Sequence, residues 1–173
     1  MIAHFLQDDL KTELEAIFEH FYLKDPNGRT SKIHVYEQSL PIPEADDIPD
    51  TVTDLELEEG TYNAQAKEMP FPYILVRVQE GIIEKIDGEQ AVNVTLLIGV
   101  YNHDRRNQGH KDVMNIIQKI YERFAKNAIL AHKYECVMPM EWALQEEESY
   151  PYFFGGMALR FETASIRRED PYA

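Results

Sequence analysis

The chain has 173 residues, enough for one well-packed domain, and 44% of them are apolar, so a core can form. Its 31 acidic residues outnumber 17 Lys and Arg, and a formal charge of -14 repels duplex DNA and anionic membrane surfaces. The single cysteine, Cys136, excludes an intrachain disulfide, and no apolar run approaches the ~20 residues of a membrane helix.

Met1 to Leu10 lack a basic stretch followed by an apolar run, so no secretory signal is expected there and the protein is expected inside the cell. Phe5, Leu6, Leu10, Leu14, Ile17, Phe18 and Phe21 recur at three- and four-residue intervals, which predicts an amphipathic helix. It should end by Lys24, because Asp25-Pro26-Asn27-Gly28 is a turn signal. A short strand is expected around Ile33 to Tyr36.

From Leu40 to about Pro70 the character changes. Pro41, Pro43 and Pro49 interrupt any helix or central strand. No Lys or Arg occurs between Lys32 and Lys67, whereas Glu44, Asp46, Asp47, Asp50, Asp54, Glu56, Glu58 and Glu59 are acidic. This predicts a long acidic loop over 40–70, with one short strand near Thr53 to Leu57. A loop of that length inside a domain is uncommon and points to function or disorder.

Tyr73 to Val78 alternates in the manner of a strand, and Ile82 to Ile86 reads as a second. Asp87-Gly88 then signals a hairpin into a strongly apolar strand, Val92 to Tyr101, completing an antiparallel meander. Beyond Gln108-Gly109-His110, Val113, Met114, Ile116, Ile117, Ile120, Tyr121 and Phe124 mark the apolar face of a second helix. Two more strands are expected, Tyr134 to Gln145 and Met157 to Ser165, around a loop from Glu146 to Gly156. The order predicts an α+β domain over 1–166, a two-layer arrangement of a mostly antiparallel sheet with two helices packed on one face. Residues 167–173 should form a flexible tail.

Possible chemistry concentrates between Tyr101 and Asp112. His103, Asp104, His110 and Asp112 offer metal-ligand types and suggest a metal-dependent hydrolase, but no short His or Cys pair supports it. The plainer expectation is a polar junction in which Asp112 favours the positive end of the helix and Gly109 permits a tight turn. A nuclease built on Glu80, Glu84, Lys85 and Asp87 fails because Glu84 and Lys85, adjacent on a strand, point to opposite faces. Ser39, Ser149 and Ser165 have no nucleophile-elbow setting, and Cys136 reads as a buried structural thiol. No catalytic residue, metal or cofactor is therefore assigned. Tyr150, Tyr152, Phe153 and Phe154, preceded by Glu146, Glu147 and Glu148, form an aromatic and acidic segment of the sort that contacts partners.

The run Gly99-Val100-Tyr101-Asn102-His103-Asp104-Arg105-Arg106-Asn107-Gln108-Gly109-His110-Lys111-Asp112, and the later Trp142 to Gly156, resemble the tail terminator, or tail completion, proteins of long-tailed bacteriophages and prophages. The similarity covers roughly Pro72 to Ala164. It implies a small α+β fold assembling into a ring, typically a hexamer, that caps the tail tube and then meets the head-tail connector. Such a protein works in the host cytoplasm during assembly and ends in the virion neck, with DNA only as passing cargo and no membrane partner. On this resemblance His103, Asp104, Arg105, Arg106, His110 and Asp112, with Glu146, Glu147, Tyr150, Tyr152, Phe153 and Phe154, are expected at contacts between subunits or with the tube. The acids from Glu44 to Glu59 would cover a neighbour or line the channel. Other neck, connector or minor tail components share this kind of fold and are the nearest alternative; a monomeric binding module using the aromatic segment is a further one.

Overall fold

The structure, a computed structural model, describes residues 2–42, 70–85 and 88–163. Helix α1 spans Ile2–Ile17 and is followed by β1 (Tyr22–Lys24), β2 (Thr30–Lys32) and β3 (His34–Glu37). Strands β4 (Tyr73–Ile83) and β5 (Gln90–Tyr101) precede helix α2 (His110–Lys126). The chain continues through β6 (Ile129–Leu130), β7 (Tyr134–Leu144) and β8 (Tyr152–Thr163). Six strands form one sheet in the order β3-β4-β5-β8-β7-β6, while β1 and β2 make a separate hairpin. All pairings in the large sheet are antiparallel except β3 with β4. The expected α+β architecture is therefore present, with a curled, mostly antiparallel sheet and two helices among the described residues.

Both helices pack on one face of the sheet. Leu6, Leu10 and Leu14 of α1 and Val113, Ile116, Ile120 and Phe124 of α2 are buried against Ile74, Val76, Leu96, Ile98, Met157, Leu159 and Phe161. Burying a Leu, Ile or Phe side chain contributes roughly 1.5–3 kcal/mol, so this layer dominates stability. Glu13 of α1 and Arg123 of α2 form an ion pair across the two helices. Arg123 Nη1 and Nη2 also donate to the carbonyls of Asn127 (2.6 Å) and Ile129 (3.2 Å), fixing the exit from α2.

The opposite face carries a second, smaller apolar cluster: Phe71, Tyr73 and Leu75 are buried there, flanked by Leu97, Tyr101, Tyr152 and Phe154. Its rows follow from register. Tyr73 lies across from Gly99, and Gly99 from Phe154. A Cβ on Gly99 would collide with the Tyr73 ring, so the absence of a side chain there lets the tyrosine lie flat across the sheet.

Several local expectations change. The first helix ends at Ile17, ahead of the Lys24 limit, and Phe18 completes its buried stripe from the turn that follows. The Asp25–Gly28 turn closes an unanticipated hairpin, in which Asp25 Oδ1 accepts from the backbone N–H of Asn27 (2.9 Å) and Arg29 (2.8 Å). Gly28 supplies the positive φ, 77°, that this turn requires. The two strands expected at Tyr73–Val78 and Ile82–Ile86 are one strand with a bulge between Val78 and Glu80, so the meander is a long hairpin. Strand β8 begins at Tyr152, so the expected loop from Glu146 to Gly156 stops at Pro151. The acidic segment 43–69, including the strand expected at Thr53 to Leu57, and the expected tail lie outside the described residues.

Candidate functional site: a self-bonded surface at the end of the sheet

The C-terminal end of β5, the N-terminal end of α2 and the loop before β8 meet at one edge of the molecule. Strand β5 delivers Tyr101, after which Asn102, Asp104, Arg106 and Asp112 bond to one another. The Asn102 N–H donates to the carbonyl of Pro151 (2.9 Å), which ties the junction to the β7–β8 loop. Asn102 Nδ2 donates to Asp112 Oδ2 (2.9 Å), and Asn102 Oδ1 accepts from the Asp104 N–H (2.9 Å). Asp104 repeats the device: its Oδ1 accepts from the Arg106 N–H at 3.0 Å. Its Oδ2 accepts from Arg106 Nη2 at 2.9 Å. Side-chain carboxylates and amides that capture the backbone two residues ahead are how short polar runs hold a tight path without regular structure.

The Arg106 side chain and backbone N–H hold the Asp104 carboxyl below the usual carboxylate range. The ring of His103 stacks on Tyr101, with centroids 5.9 Å apart. From the other side Tyr150 Oη donates to the carbonyl of His103 at 2.6 Å, a second tie between junction and loop. Ser149 Oγ donates to the Tyr152 carbonyl (2.7 Å), and the Tyr152 N–H returns a bond to the Ser149 carbonyl (2.9 Å), closing the turn into β8. A cleft of ≈ 270 Å³ runs between the two segments, with Asn107 and His110 on one wall and Glu146, Glu147 and Glu148 on the other.

Gly109 has a different role from the one expected of it. Its φ of -63° is ordinary helical backbone that any residue adopts. A Cβ there would enter the ring of Phe153, so glycine lets the start of α2 rest on β8. Gly155, one turn of the pleat further, serves the same contact: its Cβ would stand 2.6 Å from Val113 Cγ1. Helix and strand come together through two missing side chains.

The sequence-predicted site residues divide accordingly. His103, Asp104 and Asp112 line a cleft against Tyr22, Lys24 and Thr30 of the β1–β2 hairpin, whereas His110 faces Glu146 and Glu147, and Tyr150 reaches the junction only at the His103 carbonyl. Arg105 has no ion-pair partner among the described residues, whereas Arg106 folds back on Asp104. The aromatic segment is not one exposed loop: Tyr150 alone is exposed, at 46%. Tyr152 and Phe154 are half-buried on the outer face, their centroids 4.9 Å and 5.8 Å from that of Phe71. Phe153 points the opposite way, into the main core beside Gly109, as alternation along a strand requires. Glu44, Asp46, Asp47, Asp50, Asp54, Glu56, Glu58 and Glu59 lie outside the described residues.

As metal ligands, Asp104 and Asp112 are already engaged by Arg106 and Asn102, and no three His, Cys, Asp or Glu side chains converge among the described residues. Asn102, the node of the network, is the residue that sequence reasoning passed over. The Asn-x-Asp-x-Arg spacing, in which each polar side chain reaches two residues forward, is the signal that marks it. Compared with known proteins, the chain matches no family model and no curated protein.

Proposed function

We propose that the chain is a structural assembly protein of a phage-tail-like particle, forming a hexameric ring that caps the tail tube and meets the head-tail connector. The observation that supports this reading best is the self-bonded surface at the end of the sheet. Asn102, Asp104, Arg106, Asp112 and Tyr150 spend hydrogen bonds on fixing its shape. Charge remains outward at Arg105, Glu146 and Glu147. A rigid surface with a fixed charge pattern suits the recognition of one partner, since affinity is not spent on ordering it. The sequence resemblance supplies the particular setting. A strongly acidic chain lets DNA pass close by without adhering.

The test is co-sedimentation of the purified chain with assembled tail tubes, scored alongside the solution mass. Arg105→Glu should weaken tube capping by about tenfold with the fold intact, the size expected for reversing a partner-facing charge. A chain that binds no tube from any long-tailed particle, and never exceeds monomer mass even when tubes are present, would overturn this function.

A further inference from the structure

Strand β3 leaves the sheet with its main chain but not with its last side chain. The parallel pairing with β4 runs to Glu37 opposite Val76, and the Gln38 N–H still donates to the Val76 carbonyl (2.9 Å). The chain then turns away. The Ser39 N–H donates to the Glu37 carbonyl (2.6 Å), and Gln38 has a φ of 63°. This is a three-residue γ-turn with the positive φ of its rare, strained form. The Gln38 side chain stays on the sheet: its Nε2 donates to the Val78 carbonyl and its Oε1 accepts from the Val78 N–H, both at 3.1 Å. Gln7 of α1 steadies this amide, its Nε2 donating to Gln38 Oε1 (3.1 Å) and to the Val76 carbonyl (2.9 Å).

The even spacing of a parallel ladder says what this amide replaces. With the Gln38 N–H on the Val76 carbonyl, a continuing β3 would next take the Val78 N–H on the Gln38 carbonyl. It would then give the Leu40 N–H to the Val78 carbonyl. We infer that Ser39 and Leu40 form a strap poised to lengthen β3, held off by the Gln38 amide that occupies their place on Val78. The inference is independent of the ring reading. Leu40 alternates with Tyr36, and both pack against the outer apolar cluster, so closing the strap keeps Leu40 on the face where it already lies. Pro41 favours an extended Leu40, and its missing N–H falls on the side of the strand turned away from β4. The bulge after Val78 ends the run there. Both forms make two bonds to Val78; the open one adds the Gln7 bond and carries the strain of the turn, and the closed one has neither. Closure moves the exit from the sheet edge two residues along β4, about 7 Å. It also takes one partner from Gln7, which couples helix α1 to that edge.

Amide exchange at Val78 and Leu40, read by NMR on the full chain and two variants, tests the strap. Gln38→Val removes the amide, and a β-branched residue resists a positive φ. The strap should then close: the Leu40 N–H slows by about tenfold while Val78 stays protected, because main chain has replaced side chain. Gln38→Gly removes the amide but takes the positive φ freely. Here the strap should stay open, with Val78 released and Leu40 at its native rate. Leu40 slowed in both variants also supports the strap, and makes the amide alone what holds it open. Leu40 at its native rate in both overturns it, whether or not Val78 is released, since Gln38 is then only a cap on the end of β3.

Discussion

Asp104 holds the junction through one carboxylate that accepts both a backbone N–H and a guanidinium. Because its pKa is depressed in the folded chain, its contribution is present above the ordinary carboxylate range and is lost as pH falls through the lowered value. The expected outcome is a junction that holds through mildly acidic pH and loosens only below that range. Amide exchange at Arg106 and Asn107 checks it. Asp104→Asn, which keeps the shape and removes the charge, should free Arg106 and abolish that acid transition. Tyr150→Phe removes only the bond to the His103 carbonyl and should cost about 0.5–1.5 kcal/mol in urea unfolding. The thiol of Cys136 lies at the other extreme: burial pushes its pKa up to about 11, so it stays protonated near neutrality. It should resist a thiol reagent in the native protein and react at once in denaturant.

At the scale of elements, the contact of α2 with β8 is set by what Gly109 and Gly155 lack. Gly109→Ala or Gly155→Ala should destabilise by about 1–3 kcal/mol, since Phe153 or Val113 must shift to accept the new Cβ. Thermal unfolding of each variant is the measurement. Helix α2 was legible residue by residue: its 3.6-residue stripe names Val113, Ile116, Ile117, Ile120 and Phe124, all buried. Met114 and Tyr121, read into the same stripe, are 42% and 45% exposed because they sit on its flanks. Strand β8 was half legible. Gly155-Gly156 reads as a loop in sequence, yet the first glycine is there for the helix lying over it. Strand β4 appeared as two because Gln79-Glu80-Gly81 breaks the apolar run, whereas a bulge absorbs the break and Asn93 Nδ2 donates to Glu80 Oε1 at 2.7 Å. The polar junction could be located from composition, but its internal bonds depend on Pro151 and Tyr150, which sequence distance hides.

For the whole molecule, two apolar layers of unequal depth share one sheet. Phe161→Ala in the deeper layer should cost about 3–5 kcal/mol, because a fully buried ring also leaves a cavity. Calorimetry reads that loss. The sheet order carries a further consequence, for how the chain folds. Strand β8, the last in sequence among the described residues, lies in the middle of the sheet between β5 and β7. Until β8 joins, β4 and β5 form one ribbon and β6 and β7 another, with no strand to pair them and only the helices lying across both. A chain emerging from the ribosome therefore keeps the apolar side of β5 without its neighbour until nearly all of these residues have been made. Completion is then a late, long-range event, the kind that slows folding and exposes unfinished sheet to aggregation. Loss of β8 would accordingly divide the sheet in two, where loss of an edge strand would only trim it.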